Sequence, residues 1–221
     1  MSVNPTFALR ATAGTQRLLL WSGVATLAAA WLGPLPALAP HDFSAHMTMH
    51  MAVVAVAAPL IALGLAGSRL DLTQQYPSLF SPVPASLLEL AVVWAWHAPA
   101  LHHAARSSIA GLVAEQGMFL LSGLLVWVSA VGSGAQRSGM RAGAGVIALL
   151  LTSMHMTLLG ALLALAPRAL YGHTGPSALD QQHLGGAIML AVGGVSYLAG
   201  GLWLSRHLLH LRKPAREGEA A

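Results

Sequence analysis

The sequence predicts an all-α integral membrane protein, a bundle of about six transmembrane helices with both termini cytoplasmic. Three observations carry that prediction. Apolar residues make up 56% of the 221, only 8% carry a charge, and the apolar residues gather in six long runs. A soluble domain carries about 25% charged residues. A run of about 20 apolar residues spans a bilayer as a helix. The whole chain reads as a single polytopic membrane domain.

The candidate spans run from 17 to 33, 45 to 66, 85 to 104, 110 to 131, 143 to 165 and 181 to 206. A polar loop holding prolines, 68–84, separates the second and third. A Gly/Ser/Arg linker, 132–141, separates the fourth and fifth, and a polar tail, 207–221, reads as frayed and cytoplasmic. Basic Arg10 and Arg17 before an apolar stretch, then Ala37-Leu38-Ala39, resemble a signal peptide cleaved after Ala39. The polar stretch before it is long for a signal, so an uncleaved first span is expected.

Lysine and arginine set the orientation. With a cytoplasmic amino terminus, nine of the eleven fall inside, and only Arg106 and Arg168 fall outside. The high isoelectric point reflects few acids rather than a basic surface, so no nucleic-acid partner is implied. Cysteine is absent, which excludes thiolate ligands, disulfides and thiol catalysis.

The second span opens on His46-Met47-Thr48-Met49-His50-Met51. His46 and His50 share one helix face. With Met47 and Met51 beside them, the segment offers imidazole and thioether donors, a set that suits copper(I) better than magnesium or calcium. The topology places nine of eleven histidines toward the outer side. His46 and His50 form the core of the expected metal site, with His155 as third donor. His97, Glu115, Asp180 and His183 are further ligands or their supports, and ligation is expected to weaken as imidazole protonates. His102, His103 and His173 read as solvated loop residues. Glu89 reads as paired with a cytoplasmic arginine and outside the site. Met118 falls on the Glu115 face, Met154 and Met156 flank His155, and the tryptophans read as interface anchors or packing.

Gly186, Gly193 and Gly200 recur every seven residues, with Ala187, Gly194 and Gly201 beside them. A small-residue stripe lets another helix approach closely in lipid, within the bundle, in a homo-oligomer or against a partner protein.

In order and spacing, His46-Met47-x-x-His50, Trp96-His97-x-Pro99, Glu115, His155 with Gly160 and Pro167, and Asp180-Gln181 before a glycine-rich span resemble the CtaG-type cytochrome c oxidase assembly factors. The resemblance covers about 45–204. It departs at Gln116, where members commonly carry histidine, and in lacking a seventh span. It implies a multi-pass protein of the bacterial inner membrane that works with cytochrome c oxidase subunits, supplies copper at the outer face and is not an enzyme. Two other classes stay open: an intramembrane haem- or zinc-binding redox protein or metalloenzyme, and a metal transporter. The first lacks a haem-attachment or zinc-protease motif; the second lacks an obvious repeat or broken-helix pair.

Overall fold

The computed structural model describes residues 12–133, 139–171 and 177–212, and these are helical with no strand among them. The amino-terminal helix α1 (Ala13–Leu32) is capped by the Thr12 side chain and is followed by the short α2 (Leu35–Leu38). Next, α3 (Phe43–Met51), a π-helical segment (Ala52–Ala57) and α4 (Ala58–Leu65) form one continuous rod. Then come α5 (Pro82–Trp96), α6 (Pro99–Ser107), α7 (Ile109–Val131) and α8 (Gly139–Ala164). The last rod joins α9 (Ala178–Ile188) through a π-helical segment (Met189–Gly193) to α10 (Gly194–Arg212).

Five of these rods are long and apolar enough to cross a membrane: 13–38, 43–65, 109–131, 139–164 and 178–206. The expected third span is not continuous. Pro99 removes a backbone donor and disfavours helix at the residue before it, so Ala98 is extended (ψ 137°) and α5 ends at Trp96. The carboxyl-terminal helix, in turn, runs on to Arg212 where a frayed tail from His207 was expected. His173, the middle of the 132–141 linker and the end of the tail lie outside the described residues.

The rod from Phe43 to Leu65 is the centre of the bundle. Its apolar window is 67% buried, against 11% for that of α1. Asp42 caps its start, accepting from the backbone N–H groups of Ser44 (2.8 Å) and Ala45 (3.1 Å). Around it α1 packs on α4, α9 packs on α3 and α8, and α5 packs on α7 and α8. Large apolar side chains such as Leu121, Val195 and Leu202 point outward and are exposed, as a lipid-facing surface requires.

The π-helical segment was not expected from the sequence. A π turn holds an extra residue and loosens the backbone ladder. Two carbonyls in it take side-chain donors: Val54 accepts from Trp127 Nε1 (3.2 Å) and the Tyr197 hydroxyl (3.3 Å), and Ala55 accepts from Ser196 Oγ (2.6 Å). The one Tyr197 hydroxyl proton is shared with Glu89 Oε1 (2.9 Å), and the Thr152 hydroxyl donates to Glu89 Oε2 (3.1 Å). Glu89 is therefore held by hydroxyls from α8 and α10. The arginine partner expected from sequence is not what holds it.

Away from the histidines, Asp71 orders its own loop and ties it to the loop after α7. It accepts from the backbone of Gly67 (2.7 Å), Thr73 (3.1 Å) and Ser133 (2.9 Å). Burial opposes its charge, yet these donors outweigh that and hold its pKa at about 2.

The small-residue stripe divides into two behaviours. A Cβ on Gly186 would sit 2.4 Å from the Ala164 backbone nitrogen, and one on Gly200 would sit 2.6 Å from the Trp127 ring. Gly194 has no atom within 4 Å of such a Cβ, so it faces away. Gly186→Ala is expected to lower the folded yield in membranes and to destabilise the protein by about 1–3 kcal/mol or more. Gly194→Ala should leave both unchanged. Thermal unfolding of both variants in one detergent checks this, and equal stability would refute the close α8–α9 contact.

Candidate metal centre

Four elements meet at the end of the bundle where α3 begins. Helix periodicity puts His46 and His50 one turn apart on α3, with Met47 beside them, and all three are fully buried. His97 stands at the break that Pro99 imposes after α5. On α6, His102 and Arg106 are four residues apart and share its inner face, while His103 points out and is exposed. Near the start of α7, which Ser108 caps, lies fully buried Glu115.

One group joins α3, α6 and α7. Donor atoms of His46, His102 and Glu115 all lie within 4.8 Å of one another. His46 Nδ1 is 3.7 Å from Glu115 Oε2, and the His46 and His102 rings meet edge to face at 5.0 Å. Arg106 Nη2 donates to the same carboxylate oxygen, as does Gln116 Nε2 at 3.3 Å. Gln116 Oε1 in turn accepts from Trp31 Nε1 at 3.3 Å, which ties the group to α1. Burial disfavours the Arg106 charge, and the carboxylate beside it offsets that cost.

A second group lies deeper. His97 Nδ1 is 2.7 Å from the Val93 carbonyl, which can only accept, so Nδ1 carries the proton. In the neutral ring Nε2 is then bare, and it faces the Met47 sulfur at 3.4 Å. Neither atom has a proton to share. Two lone pairs face each other in a buried place. The His50 ring is 5.2 Å from the His97 ring and 4.1 Å from Phe119. His155 lies within electrostatic range of His50. No ring nitrogen of His46, His50 or His155 has a hydrogen-bond partner among the described residues. The His46 and His97 rings, 5.8 Å apart, connect the two groups.

Tyr171, from the segment after α8, closes the end. It stacks on Phe43 (4.7 Å, 16°), lies against His102 (4.1 Å) and donates to the His97 carbonyl at 2.9 Å. Burial pushes its phenol pKa up, which keeps that donor protonated.

The structure therefore gathers His46, His50, His97, His155, Glu115 and Met47 from the expected set. Met51 is buried one turn beyond Met47, where its sulfur approaches Gly193. Asp180 and His183 stand apart. Asp180 is exposed, and His183 Nε2 lies 2.9 Å from the Ala166 carbonyl. His102 overturns the expectation of a solvated loop residue, being 3% exposed and part of the first group. The signal for it was available: a helix started by Pro99 places His102, Ala105 and Arg106 on one face. Met118 and Met154 are exposed and leave the face of Glu115 and His155 respectively, whereas Met156 is buried.

Among known proteins, the model of the cytochrome c oxidase caa3 assembly factor family (Caa3_CtaG) matches residues 6–210. No curated protein and no solved structure matched the chain.

The hydrogen-bond geometry makes a direct prediction. Nitrogen NMR of protein labelled at histidine should show His97 as the Nδ1-protonated tautomer, with the signal assigned by its loss in His97→Gln. The opposite tautomer would place a proton between His97 and Met47 and remove the facing lone pairs.

Proposed function

The chain belongs to the cytochrome c oxidase caa3 assembly factor family, and from that premise we propose that it carries copper(I) as cargo, yielding it to an oxidase subunit. The observation that carries this reading is the His97–Met47 pair. A bare imidazole nitrogen and a thioether sulfur face each other at 3.4 Å with no proton between them. Metal–nitrogen and metal–sulfur bonds are about 2.0 and 2.3 Å, so one ion can touch both atoms. Neutral nitrogen and soft sulfur donors favour copper(I). The unpartnered rings of His46, His50 and His155 line the same place and offer further stations. The chain's part is to bind, shield and release; we read it as a carrier rather than a catalyst.

The orientation we propose has both termini in the cytoplasm and counts α5 as a sixth crossing. The helix has 15 residues and rises about 22 Å, less than the ~30 Å hydrocarbon core. The turn at His97 and α6 then continue toward the surface. The arginine bias supports this sense, and it puts the cluster at the outer face, where an oxidase subunit could collect its metal. Reporter fusions at Leu38, at Ser133 and at the carboxyl end should read outside, inside and inside. A periplasmic reading at Ser133 would reverse the proposal.

Loss of one donor is expected to weaken metal retention by about tenfold or more. Met47→Leu, His97→Ala and His102→Ala should lower retention of copper(I) or silver(I) by the purified protein, and lower oxidase activity in cells. His103→Ala, one residue from His102 but exposed, should change neither. Full retention by the first three variants would remove the cargo assignment, and a Soret band in the purified protein would favour haem ligation instead.

A further inference from the structure

From the way Arg106 meets Glu115, we infer that Arg106 sets the charge selectivity of the cluster, favouring a monovalent cation over a divalent one. The inference rests on the cargo reading above and adds which ions are refused.

Arg106 is a poor candidate for a purely structural residue. Its side chain is 7% exposed, yet its Nε and Nη1 have no hydrogen-bond partner among the described residues. A guanidinium placed to hold helices together would use its five donors on several carbonyls or carboxylates. This one engages Glu115 through Nη2. Glu115 is also the one acid among the three groups that converge there, the others being His46 and His102. The guanidinium thus cancels the fixed negative charge of the first group.

That cancellation has a different consequence for ions of different charge. The cost of bringing an ion out of water grows as the square of its charge. Its attraction to a fixed charge grows only in proportion to its charge. With Arg106 and Glu115 paired, the fixed charge sums to zero, and an arriving ion is held by neutral imidazole and thioether donors alone. A divalent ion then meets its full desolvation cost with no compensating charge. A soft monovalent ion meets a quarter of that cost and gains the donors it prefers. Cation sites for zinc or calcium, by contrast, commonly use carboxylates or thiolates that keep their charge. Glu115 alone would supply one; Arg106 withdraws it.

The test is metal affinity of the full-length protein in detergent, using silver(I) as a redox-stable monovalent probe and cobalt(II) as a coloured divalent one. Wild type is expected to bind silver(I) and to show weak cobalt(II) binding. Arg106→Gln keeps an amide beside the carboxylate and removes the positive charge. It should tighten silver(I) by about tenfold and cobalt(II) by about a hundredfold, because the electrostatic gain doubles with ionic charge. Arg106→Lys retains the charge and should hold both affinities within about threefold of wild type. Glu115→Gln supplies an independent check of opposite sign, weakening both metals and cobalt(II) the more. Equal changes for the two metals in Arg106→Gln, or lysine behaving as glutamine does, would overturn the inference while leaving the cargo reading intact. Wild type that binds neither metal would overturn both.

Discussion

An imidazole withdrawn from both water and lipid has to find its partners among neighbouring side chains, and the bundle is arranged around that constraint. The central rod brings His46 and His50 into a place where no solvent reaches either. Each neighbour then contributes something polar to the same cluster: His97 from α5, His102 and Arg106 from α6, Glu115 and Gln116 from α7, and His155 from α8. Few of these groups are fully satisfied by each other. In an apolar protein with so little charge, this concentration of incompletely bonded polar atoms is costly. In the proposed reading, a copper(I) cargo would complete it.

The opposite case lies deeper in the same bundle. Glu89 is equally buried, but both of its oxygens accept from hydroxyls, and Thr152 is itself bonded to Ser86 at 2.9 Å. That network is closed. The contrast separates polar groups that knit helices together from polar groups held open, and membership of the assembly factor family gives the open set its setting.

Much of this was legible in the sequence, for identifiable reasons. Apolar runs of spanning length announce helices in lipid, and histidines at i and i+4 share a face wherever the helix lies. Glu115 could be assigned to a polar site because a carboxyl at that depth needs a partner. What the sequence could not reveal was which partner. Arg106 precedes Glu115 by nine residues, but only the break at Pro99 that starts α6 and the extended Ser108 that ends it set α6 against α7 and deliver Arg106 with His102. Tyr171 was missed for the same reason, since a loop aromatic becomes a closing residue only when the fold sets the segment after α8 against Phe43 of α3. Asp180 and His183 were grouped with the cluster by depth alone; the fold leaves Asp180 exposed and sets His183 Nε2 beside the Ala166 carbonyl. Periodicity fixes depth along a helix well and rotation about its neighbours poorly.

The π-helical segment at Ala52–Ala57 bears on that last point. Because it holds an extra residue per turn, α3 and α4 are one rod cut into two angular settings. The lower setting is fixed by tight packing on α1, where a Cβ on Gly64 would meet the Leu20 backbone at 2.7 Å. The upper setting, which aims the histidines, is free of that requirement. The segment works as a rotary joint locked by Trp127, Tyr197 and Ser196 on the buried Val54 and Ala55 carbonyls. Packing against α1 and placement of the histidines are consequently set by separate stretches of one rod, with the joint between them.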